Sequence, residues 1–379
     1  MKYCKKCVQP DTRPNVYFNE EGICGACLYE EEKEKIDWHK RLEELHSIAQ
    51  NARKKSKENN SNYDCVVGVS GGKDSTFQAL YARDKLGLRT LLVNCEPEGM
   101  TEIGKNNIEN LKNLGFDVIS IRPNPVLMKK LVKRDFYKYV NPVKITEFPL
   151  WASSYRMAQV FKIPLIVQGE NDCLTLGVRN AQGLGGDAML VSKQDTLASG
   201  WKEYTGEYAD EKDLFFYHFE GEKMEKDGVV AIWLQYYTKE WSQSHNAEFS
   251  ISNGLIIRPE YFNPHDIGTY SPYFQLDGDL TQVNQLLKYI KFGFGQCTDH
   301  ACYDIRDGKI TREEGIELVK KYDGECNTRY IKKFCDYIGI TIEEFWRIAE
   351  TVRGPMWRKN EKDEWILDNP IWEQNNYEK

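Results

Sequence analysis

The sequence of 379 residues lacks a long hydrophobic run. A helix that crosses a membrane needs about 18 or more consecutive apolar residues, and no stretch of the chain provides them. The longest apolar stretches, such as VVAIWLQYY at residues 229–237, have the length of strands. The amino terminus, MKYCKKC, is basic, but no apolar segment follows it as in a secretory signal. We therefore expect a cytoplasmic protein that does not span a membrane.

A surplus of basic residues is also missing. Lys and Arg number 51 against 58 Asp and Glu, which gives a formal net charge of -7. Proteins that bind nucleic acid through its phosphates usually carry a basic surplus or stripe. A local basic patch can still sit on an acidic protein, but nucleic acid is not the expected partner. The apolar content of 41% is enough for a large core in two or three structural units.

Eleven cysteines are present, and this odd number in a chain of cytosolic character disfavours a disulfide framework. Four of them form two C-x-x-C pairs, Cys4 with Cys7 and Cys24 with Cys27, separated by 16 residues. Two such pairs offer four thiolates for a closed tetrahedral shell, and that spacing is typical of structural zinc. An iron–sulfur cluster, a redox pair or free thiols are the alternatives. The segment between the pairs is too short to form a core, so the metal would replace one.

The stretch VVGVSGGKDST, residues 66–76, has the pattern of a phosphate-binding turn. Residues 65–69 predict a buried strand and residues 75–86 predict a helix that Gly87 ends. Glycines allow a polyanion to approach the backbone closely, and the start of the helix offers free N–H groups. It is not a Walker A loop, because only three residues separate Gly68 from Gly72 and an acid follows Lys73.

The segments after this turn predict a parallel sheet. Residues 90–94, 116–121 and 164–168 are further strands, and helical patterns alternate with them. Ligands of doubly wound sheets bind at the carboxyl ends of the strands. Four residues fall at such ends and are candidates to face a nucleotide or the reacting group: Asn94, Gly169, Glu170 and Asn171.

The turn SGGKDS resembles the signature of the PP-loop ATP pyrophosphatases. Together with the N-terminal cysteines, VQGEN, FGFGQCTDHACYDIRDGKITREEG and LVKKYDG, it resembles the bacterial N-acetyl sugar amidotransferases over nearly the whole chain. The resemblance implies a PP-loop α/β fold, ATP and Mg²⁺, and conversion of an acetamido group into an acetamidino group. It also implies ammonia from a separate glutaminase and ammonia-channel protein. The acceptor would be a UDP-linked diacetamido uronic acid of O-antigen synthesis, or a pseudaminic- or legionaminic-type nonulosonic acid.

On this resemblance the turn holds the phosphates and magnesium. Lys73 would pair with the phosphates and stabilise charge during adenylyl transfer, and Asp74 would act beside it as the second catalytic residue. A solvated ion pair at the rim of the loop is the alternative for these two. The residues assigned to pyrophosphate and magnesium binding are Ser70, Gly71, Gly72, Asp74, Ser75 and Thr76.

Two rival functions fit parts of the pattern. Several PP-loop enzymes that transfer sulfur to tRNA also carry N-terminal cysteines, and they need a cysteine pair or an iron–sulfur cluster near the nucleotide. Cys65, Cys95 and Cys173 are the candidates here, but they form no C-x-x-C. A nucleotide sensor without catalysis is the third possibility, and the intact SGGKDS turn argues against it.

The second half of the chain carries weaker signals. The glycine-rich residues 177–186 predict either a lid over ATP or a plain surface loop. The aromatic residues between 201 and 241 are expected to fill a core. Asp299 and His300 are a possible acid–base pair and Arg306 a possible anion clamp, against a purely structural role. Thr311–Glu314 and Thr341–Glu344 have the pattern of capping boxes.

We expect an α/β fold in four segments. They are a zinc-ribbon-like module at residues 1–30, a helical connector at 31–62, a PP-loop domain with an insertion at 63–275, and a helical C-terminal region at 276–379.

Overall fold

The computed structural model describes residues 1–374, so the end of the expected C-terminal region, 375–379, lies outside the described residues. Its main sheet has five strands: β1 (Cys65–Val69), β2 (Thr90–Cys95), β3 (Asp117–Ile121), β4 (Leu165–Gln168) and β5 (Val230–Trp233). Their order is β3-β2-β1-β4-β5, and every neighbouring pair is parallel. This topology confirms the doubly wound α/β class. The order in which strands are added changes sides at β1, because β2 and β3 lie on one side of it and β4 and β5 on the other. Val67 of β1 accordingly pairs with both Leu92 of β2 and Val167 of β4.

Helices cover both faces of this sheet and form the C-terminal part. They are α1 (Gly25–Lys33), α2 (Trp38–Glu58), α3 (Lys73–Leu80), α4 (Glu102–Asn113), α5 (Pro125–Tyr139), α6 (Lys144–Val160), α7 (Asp172–Thr175), α8 (Asp195–Ser199), α9 (Gly221–Lys226), α10 (Leu234–Tyr237), α11 (Gln243–Ser252), α12 (Pro264–Ile267), α13 (Leu280–Phe292), α14 (Gln296–Arg306), α15 (Arg312–Tyr322), α16 (Thr328–Ile338) and α17 (Ile342–Glu350). A π-helical turn, Tyr81–Lys85, follows α3, and 3₁₀ turns cover Ala188–Lys193, Gly200–Tyr204, Glu211–Tyr217 and Ile371–Glu373. A hairpin of β6 (Trp357–Lys359) and β7 (Trp365–Leu367) lies near the end.

The sheet separates two cores because successive side chains of a strand point to opposite faces. Val66 and Val93 belong to the core that contains residues of α5 and α6. Val67 and Leu92 belong to the core that contains residues of α2 and α3. The strands are therefore buried on both sides, which explains why their sequences are continuous apolar runs. The aromatic residues between 201 and 241 mostly fill these cores, as expected, and Trp233 is fully buried.

The N-terminal module packs against the C-terminal helices. One buried cluster joins the four N-terminal cysteines to Cys297 and Cys302 of α14 and to Ile316 and Val319 of α15. Thr12 strengthens this contact by donating a hydrogen bond to the carbonyl of Phe292 at 2.6 Å. These contacts therefore join the first 30 residues to helices α13, α14 and α15 in the last third of the chain.

Two local predictions differ from the structure. The helix after the phosphate turn begins at Lys73, two residues earlier than predicted, because Gly72 in extended conformation already serves as its N-cap. Thr311 and Glu314 form the predicted capping box. Thr341 caps α17 by accepting from the N–H of Glu344, but the structure records no return bond, and the Glu344 carboxylate accepts from the Tyr137 hydroxyl at 2.6 Å instead.

Among the described residues, no helix is both long and apolar enough to cross a membrane.

Candidate nucleotide site and metal centre

The SGGKDS segment forms the turn between β1 and α3, at the carboxyl edge of the sheet. Gly71 has a φ of +84°, and a Cβ there would lie 2.9 Å from the carbonyl oxygen of Gly104. Glycine is therefore required on both backbone and steric grounds. The Asn107 side chain donates to the Gly71 carbonyl at 2.9 Å and so holds the turn from α4. The first N–H groups of α3 have no helical partners and favour an anion.

Hydroxyl groups brace the inner side of the turn. Ser75 and Thr76 donate to the carbonyl of Gly72 at 3.2 and 2.9 Å. The backbone N–H of Ser70 donates to the Ser75 hydroxyl at 3.4 Å, so the turn is closed on itself. These bonds fix the backbone in the conformation that presents its N–H groups to a ligand.

Lys73 and Asp74 form an ion pair in which the lysine is buried and the aspartate is partly exposed. The Lys73 ammonium lies 2.6 Å from one Asp74 oxygen and 4.3 Å from the centre of the Phe274 ring, and Lys73 is only 3% exposed. Asn246 donates to the other Asp74 oxygen at 2.8 Å, and Ser250 donates to the Lys73 carbonyl at 2.7 Å. The burial of Lys73 does not fit the alternative of a solvated pair at the loop rim, although 26% of the Asp74 side chain stays exposed.

The loop after β4 lies beside this pair. Glu170 accepts from the Gln243 side chain at 2.8 Å. Burial first, and then the charge of Asp74, raise the pKa of Glu170 above its ordinary value. A Cβ on Gly169 would collide with the Gln78 amide, so any larger residue here would have to displace that side chain of α3.

The side chains of Asn171 and Asn94 differ in how fully they are hydrogen-bonded within the protein. Asn171 donates to the carbonyls of Gly183 and Gly185 at 2.9 and 3.3 Å, and its oxygen caps α7 by accepting from the N–H of Cys173. Its side chain therefore holds the loop in shape. Asn94 is buried in β2 and its amide donates to Ser120 at 3.4 Å. The Asn94 oxygen has no hydrogen-bond partner among the described residues.

The residues beside the turn fit a magnesium ion. After burial, the charge of Asp74 is the next cause of the raised pKa of Glu170, and a divalent cation between the two carboxylates would relieve this repulsion. Asn246 adds a buried side-chain oxygen that has no partner among the described residues. Carboxylate and amide oxygens are the ligands that magnesium prefers. The magnesium of an ATP complex would therefore be held by Asp74 and Glu170, with Asn246 beside them.

The four N-terminal cysteines come together as predicted. Their sulfur atoms all lie within 4.8 Å of one another, and all four residues are buried. Cys4 and Cys27 are 3.9 Å apart and Cys7 and Cys24 are 3.7 Å apart at sulfur. A tetrahedral site with zinc–sulfur bonds of about 2.3 Å places its sulfurs about 3.8 Å apart, so the donor set fits zinc.

The structure assigns Asp299 and His300 to separate structural networks. Arg13 and Lys288 both contact the Asp299 carboxylate, Lys288 at 2.6 Å, and they hold its pKa down at about 2 against the opposing effect of burial. His300 exchanges a hydrogen bond of 2.6 Å with Thr269 and stacks on Phe274 at 3.7 Å. Burial lowers the pKa of His300 well below its ordinary value. Asp299 and His300 therefore contact different partners, and the structure does not bring them together as a hydrogen-bonded acid–base pair.

Arg306 contacts the backbone of a neighbouring helix. Its guanidinium donates to the Thr175 carbonyl at 3.0 Å. Arg312 donates to the carbonyls of Cys7 and Cys4 at 3.2 and 3.3 Å. An arginine of the C-terminal helices therefore flanks the cysteine module, where a zinc tetrathiolate would carry excess negative charge.

The glycine-rich segment 177–186 docks on the N-terminal module. The Gly177 carbonyl accepts from the N–H of Tyr17 at 3.0 Å, Val178 forms an isolated bridge with Val16, and Arg179 lies over the Tyr17 ring at 3.6 Å. A Cβ on Gly177 would lie 2.3 Å from the backbone nitrogen of Ala26. Of the two interpretations, lid or surface loop, these contacts describe a loop fixed to the cysteine module.

The cysteines that a sulfur-transfer enzyme would use are poorly placed for it. Cys65 lies at the start of β1, at the other end of that strand from the phosphate turn. Burial raises the pKa of Cys65 and of Cys95 to about 12. The Cys173 thiol donates to Asn180 at 3.1 Å, and burial raises its pKa too. Thiols with raised pKa values are weak nucleophiles, so the geometry disfavours this rival.

Several residues of the site were not predicted from the sequence. Gln243, Asn246 and Ser250 lie at positions i, i+3 and i+7 of α11 and contact Glu170, Asp74 and the Lys73 carbonyl. A polar stripe at helical spacing in an otherwise mixed helix was the one available signal. Arg13 and Phe274 come from segments whose sequences carry no pattern for this role.

A comparison with known protein families finds a match for the C-terminal part of the chain. A family model described as "LPS biosynthesis protein WbpG-like, C-terminal domain" matches residues 267–373. No curated protein matches the chain. The matching segment includes Phe274, which lies over Lys73, and helices α13–α17.

Three solved structures are similar at low level. NMN synthetase from Francisella tularensis shares 14% identity, covering 76% of this chain and 93% of its own, with a TM-score of 0.34. The NH3-dependent NAD synthetase from Campylobacter jejuni shares 15%, covering 60% and 100%, with a TM-score of 0.29. The U34-tRNA thiolase NcsA from Methanococcus maripaludis shares 14%, covering 89% and 95%, with a TM-score of 0.25. With scores this low, the fold class rests on the strand order and the phosphate turn of this chain.

Proposed function

We propose that the protein is an ATP-dependent amidotransferase that converts an acetamido group of an N-acetylated sugar into an acetamidino group. The observation that carries the proposal is the SGGKDS turn at the end of β1, with the Asp74 and Glu170 carboxylates beside it. The match of residues 267–373 to a WbpG-like domain supports a sugar of lipopolysaccharide synthesis as the acceptor.

The chemistry explains why ATP is needed. An amide carbonyl is a poor electrophile, and its oxygen is a poor leaving group. The carbonyl oxygen attacks the α-phosphorus, the bond from that phosphorus to the bridging oxygen breaks, and pyrophosphate leaves. Ammonia then adds to the imidate carbon and loses a proton, and the bond from carbon to the former carbonyl oxygen breaks to release AMP. The oxygen of the acetamido group therefore ends in AMP, and nitrogen takes its place.

The residues of the turn supply binding and charge stabilisation. The N–H groups from Gly71 to Ser75 and the start of α3 would hold the β- and γ-phosphates. Lys73 brings a buried positive charge to the phosphates, and the aromatic face of Phe274 excludes water from it. Magnesium, when bound, neutralises charge on the phosphates. Asp74 and Glu170 would hold it, and Asn246 and Gln243 orient these carboxylates.

The acceptor and the ammonia source extend this proposal. We favour a UDP-linked diacetamido uronic acid of O-antigen synthesis, with a pseudaminic- or legionaminic-type acid as the next choice. Ammonia would come from a separate glutaminase through a channel protein, and the reaction would take place in the cytoplasm. The four-cysteine module would bind zinc and keep the N-terminal segment folded.

The test is mass spectrometry of a reaction that contains ATP, magnesium, ammonium and the UDP-diacetamido uronic acid. We expect replacement of one oxygen by NH, with AMP and pyrophosphate formed in equal amounts. Lys73→Ala and Asp74→Ala should abolish both. Lys105→Ala is the matched control, because Lys105 forms an exposed pair with Glu102 on the neighbouring helix α4. AMP without a changed sugar would move the proposal to a nonulosonic acid, and no AMP with any sugar would refute it.

A further inference from the structure

A small cavity lies behind the loop that carries Glu170. Its volume is about 40 Å³, and it is lined by residues of α1, α7, α11 and α14 and by the segment between α10 and α11. Leu174 and Thr175 form the wall on the side of the loop, and Thr238 and Trp241 face them. The cavity therefore lies beside the loop that carries Glu170.

One side chain, that of Gln243, links the cavity to Glu170, one of the two carboxylates proposed to hold magnesium. Gln243 lines the cavity and also donates to Glu170 at 2.8 Å. Trp241 lines it as well, and its ring lies 3.1 Å from the position that a Cβ on Gly169 would take. The Gln243 side chain is therefore shared between the cavity and the Glu170 carboxylate.

The outer end of the cavity reaches the surface of the protein. Glu30 and Lys33 of α1 line it there and form a partly exposed ion pair at 2.9 Å. Arg306 and Asp307 at the end of α14 line the same cavity. The mouth is therefore built from the cysteine module on one side and the C-terminal helices on the other.

The size and the polar groups of the cavity select its occupant. A volume of 40 Å³ holds a few water-sized molecules, since each needs about 10–15 Å³, and it excludes a sugar or a nucleotide. The Trp241 indole N–H is buried and has no acceptor among the described residues. It can donate only to a molecule with a lone pair. Water and neutral ammonia both have one, whereas ammonium does not, so the cavity admits ammonia in its neutral form.

The geometry points to this cavity as the entry path for ammonia, from a mouth beside α1 to Gln243 and the reacting centre. The inference rests on the proposed function, because only an amidating enzyme needs ammonia there. It assigns roles to Leu174, Thr238 and Trp241 as the walls of the path.

The test narrows the path from two elements independently. Leu174→Phe adds volume from α7, and Thr238→Leu adds it from the opposite wall. Leu174→Met conserves the volume and is the matched control. Each full-length variant is assayed with ATP, magnesium, the sugar acceptor and ammonium chloride at constant pH, and thermal unfolding verifies that each has folded.

We expect both narrowing variants to raise the KM for ammonium severalfold relative to the KM for ATP, and Leu174→Met to behave as wild type. An unchanged ammonium KM in the folded narrowing variants, with product still formed by the wild type, would overturn the entry path and leave the proposed function intact. Failure of the wild type to form an amidine with any sugar would overturn both.

Discussion

Asn246 gives the most specific prediction about the nucleotide site. Its amide donates to one Asp74 oxygen at 2.8 Å while Lys73 occupies the other at 2.6 Å. Asn246→Ala would leave a partly buried carboxylate oxygen without its protein donor. A hydrogen bond to a charged group contributes about 1.5–3 kcal/mol, and about 1.4 kcal/mol corresponds to a factor of ten. We therefore expect kcat/KM for ATP to fall by about 10- to 100-fold.

The assay is acceptor-dependent AMP formation, measured over a range of ATP and magnesium concentrations. Asn246→Ala should also need more magnesium for half-maximal rate, because Asp74 is no longer held in position. Ser252→Ala is the control, since Ser252 is an exposed residue at the end of the same helix. Its hydroxyl donates to the Phe249 carbonyl and accepts from the Asn253 side chain, and it does not contact Asp74. A folded Asn246→Ala protein with wild-type kcat/KM and wild-type magnesium dependence would refute the assignment of Asp74.

Three further predictions concern the turn, the acid beside it and the metal centre. Gly71→Ala should abolish AMP formation, because its Cβ would meet the Gly104 carbonyl at 2.9 Å, whereas Gly185→Ala, with open space around it, should be active. Because the pKa of Glu170 is raised in the folded state, that state keeps a proton that the unfolded state releases above about pH 4.5. Without magnesium, the melting temperature should therefore fall as the pH rises from about 4.5 through the raised pKa. Glu170→Gln should make this fall smaller. Cys24→Ser should lose the bound zinc measured by mass spectrometry of the metal and melt at a lower temperature, whereas Cys297→Ser, in the same buried cluster, should keep one zinc per chain.

The parts predicted from the sequence are those encoded by neighbouring residues. The spacing of the N-terminal cysteines predicts their cluster, because each C-x-x-C pair is a local turn. The glycines between an apolar strand and a helix predict the phosphate turn, since backbone freedom and a helix start are needed there together. The carboxyl ends of β2 and β4 also carry Asn94 and Glu170 as expected, because parallel strands align their ends.

The unpredicted parts depend on contacts between distant segments. Asn246 reaches Asp74 across 172 residues of sequence, and Arg13 reaches Asp299 across 286. No local pattern records such pairings. Asp299 and His300 also show that adjacent polar residues in a helix need not act together, because they contact different neighbours. Glu344 is another case in which a distant contact replaces the locally predicted one, since its carboxylate accepts from the hydroxyl of Tyr137 in α5.

The most direct test of the central claim follows the acetamido oxygen. The acceptor sugar is prepared with ¹⁸O in its acetamido carbonyl and incubated with the enzyme, ATP, magnesium and ¹⁵N-ammonium, and AMP and sugar are analysed by mass spectrometry. We predict that AMP gains the ¹⁸O while the sugar loses it and gains one ¹⁵N. AMP without ¹⁸O, or a sugar that keeps its ¹⁸O after AMP has formed, would contradict adenylyl transfer to the acetamido oxygen.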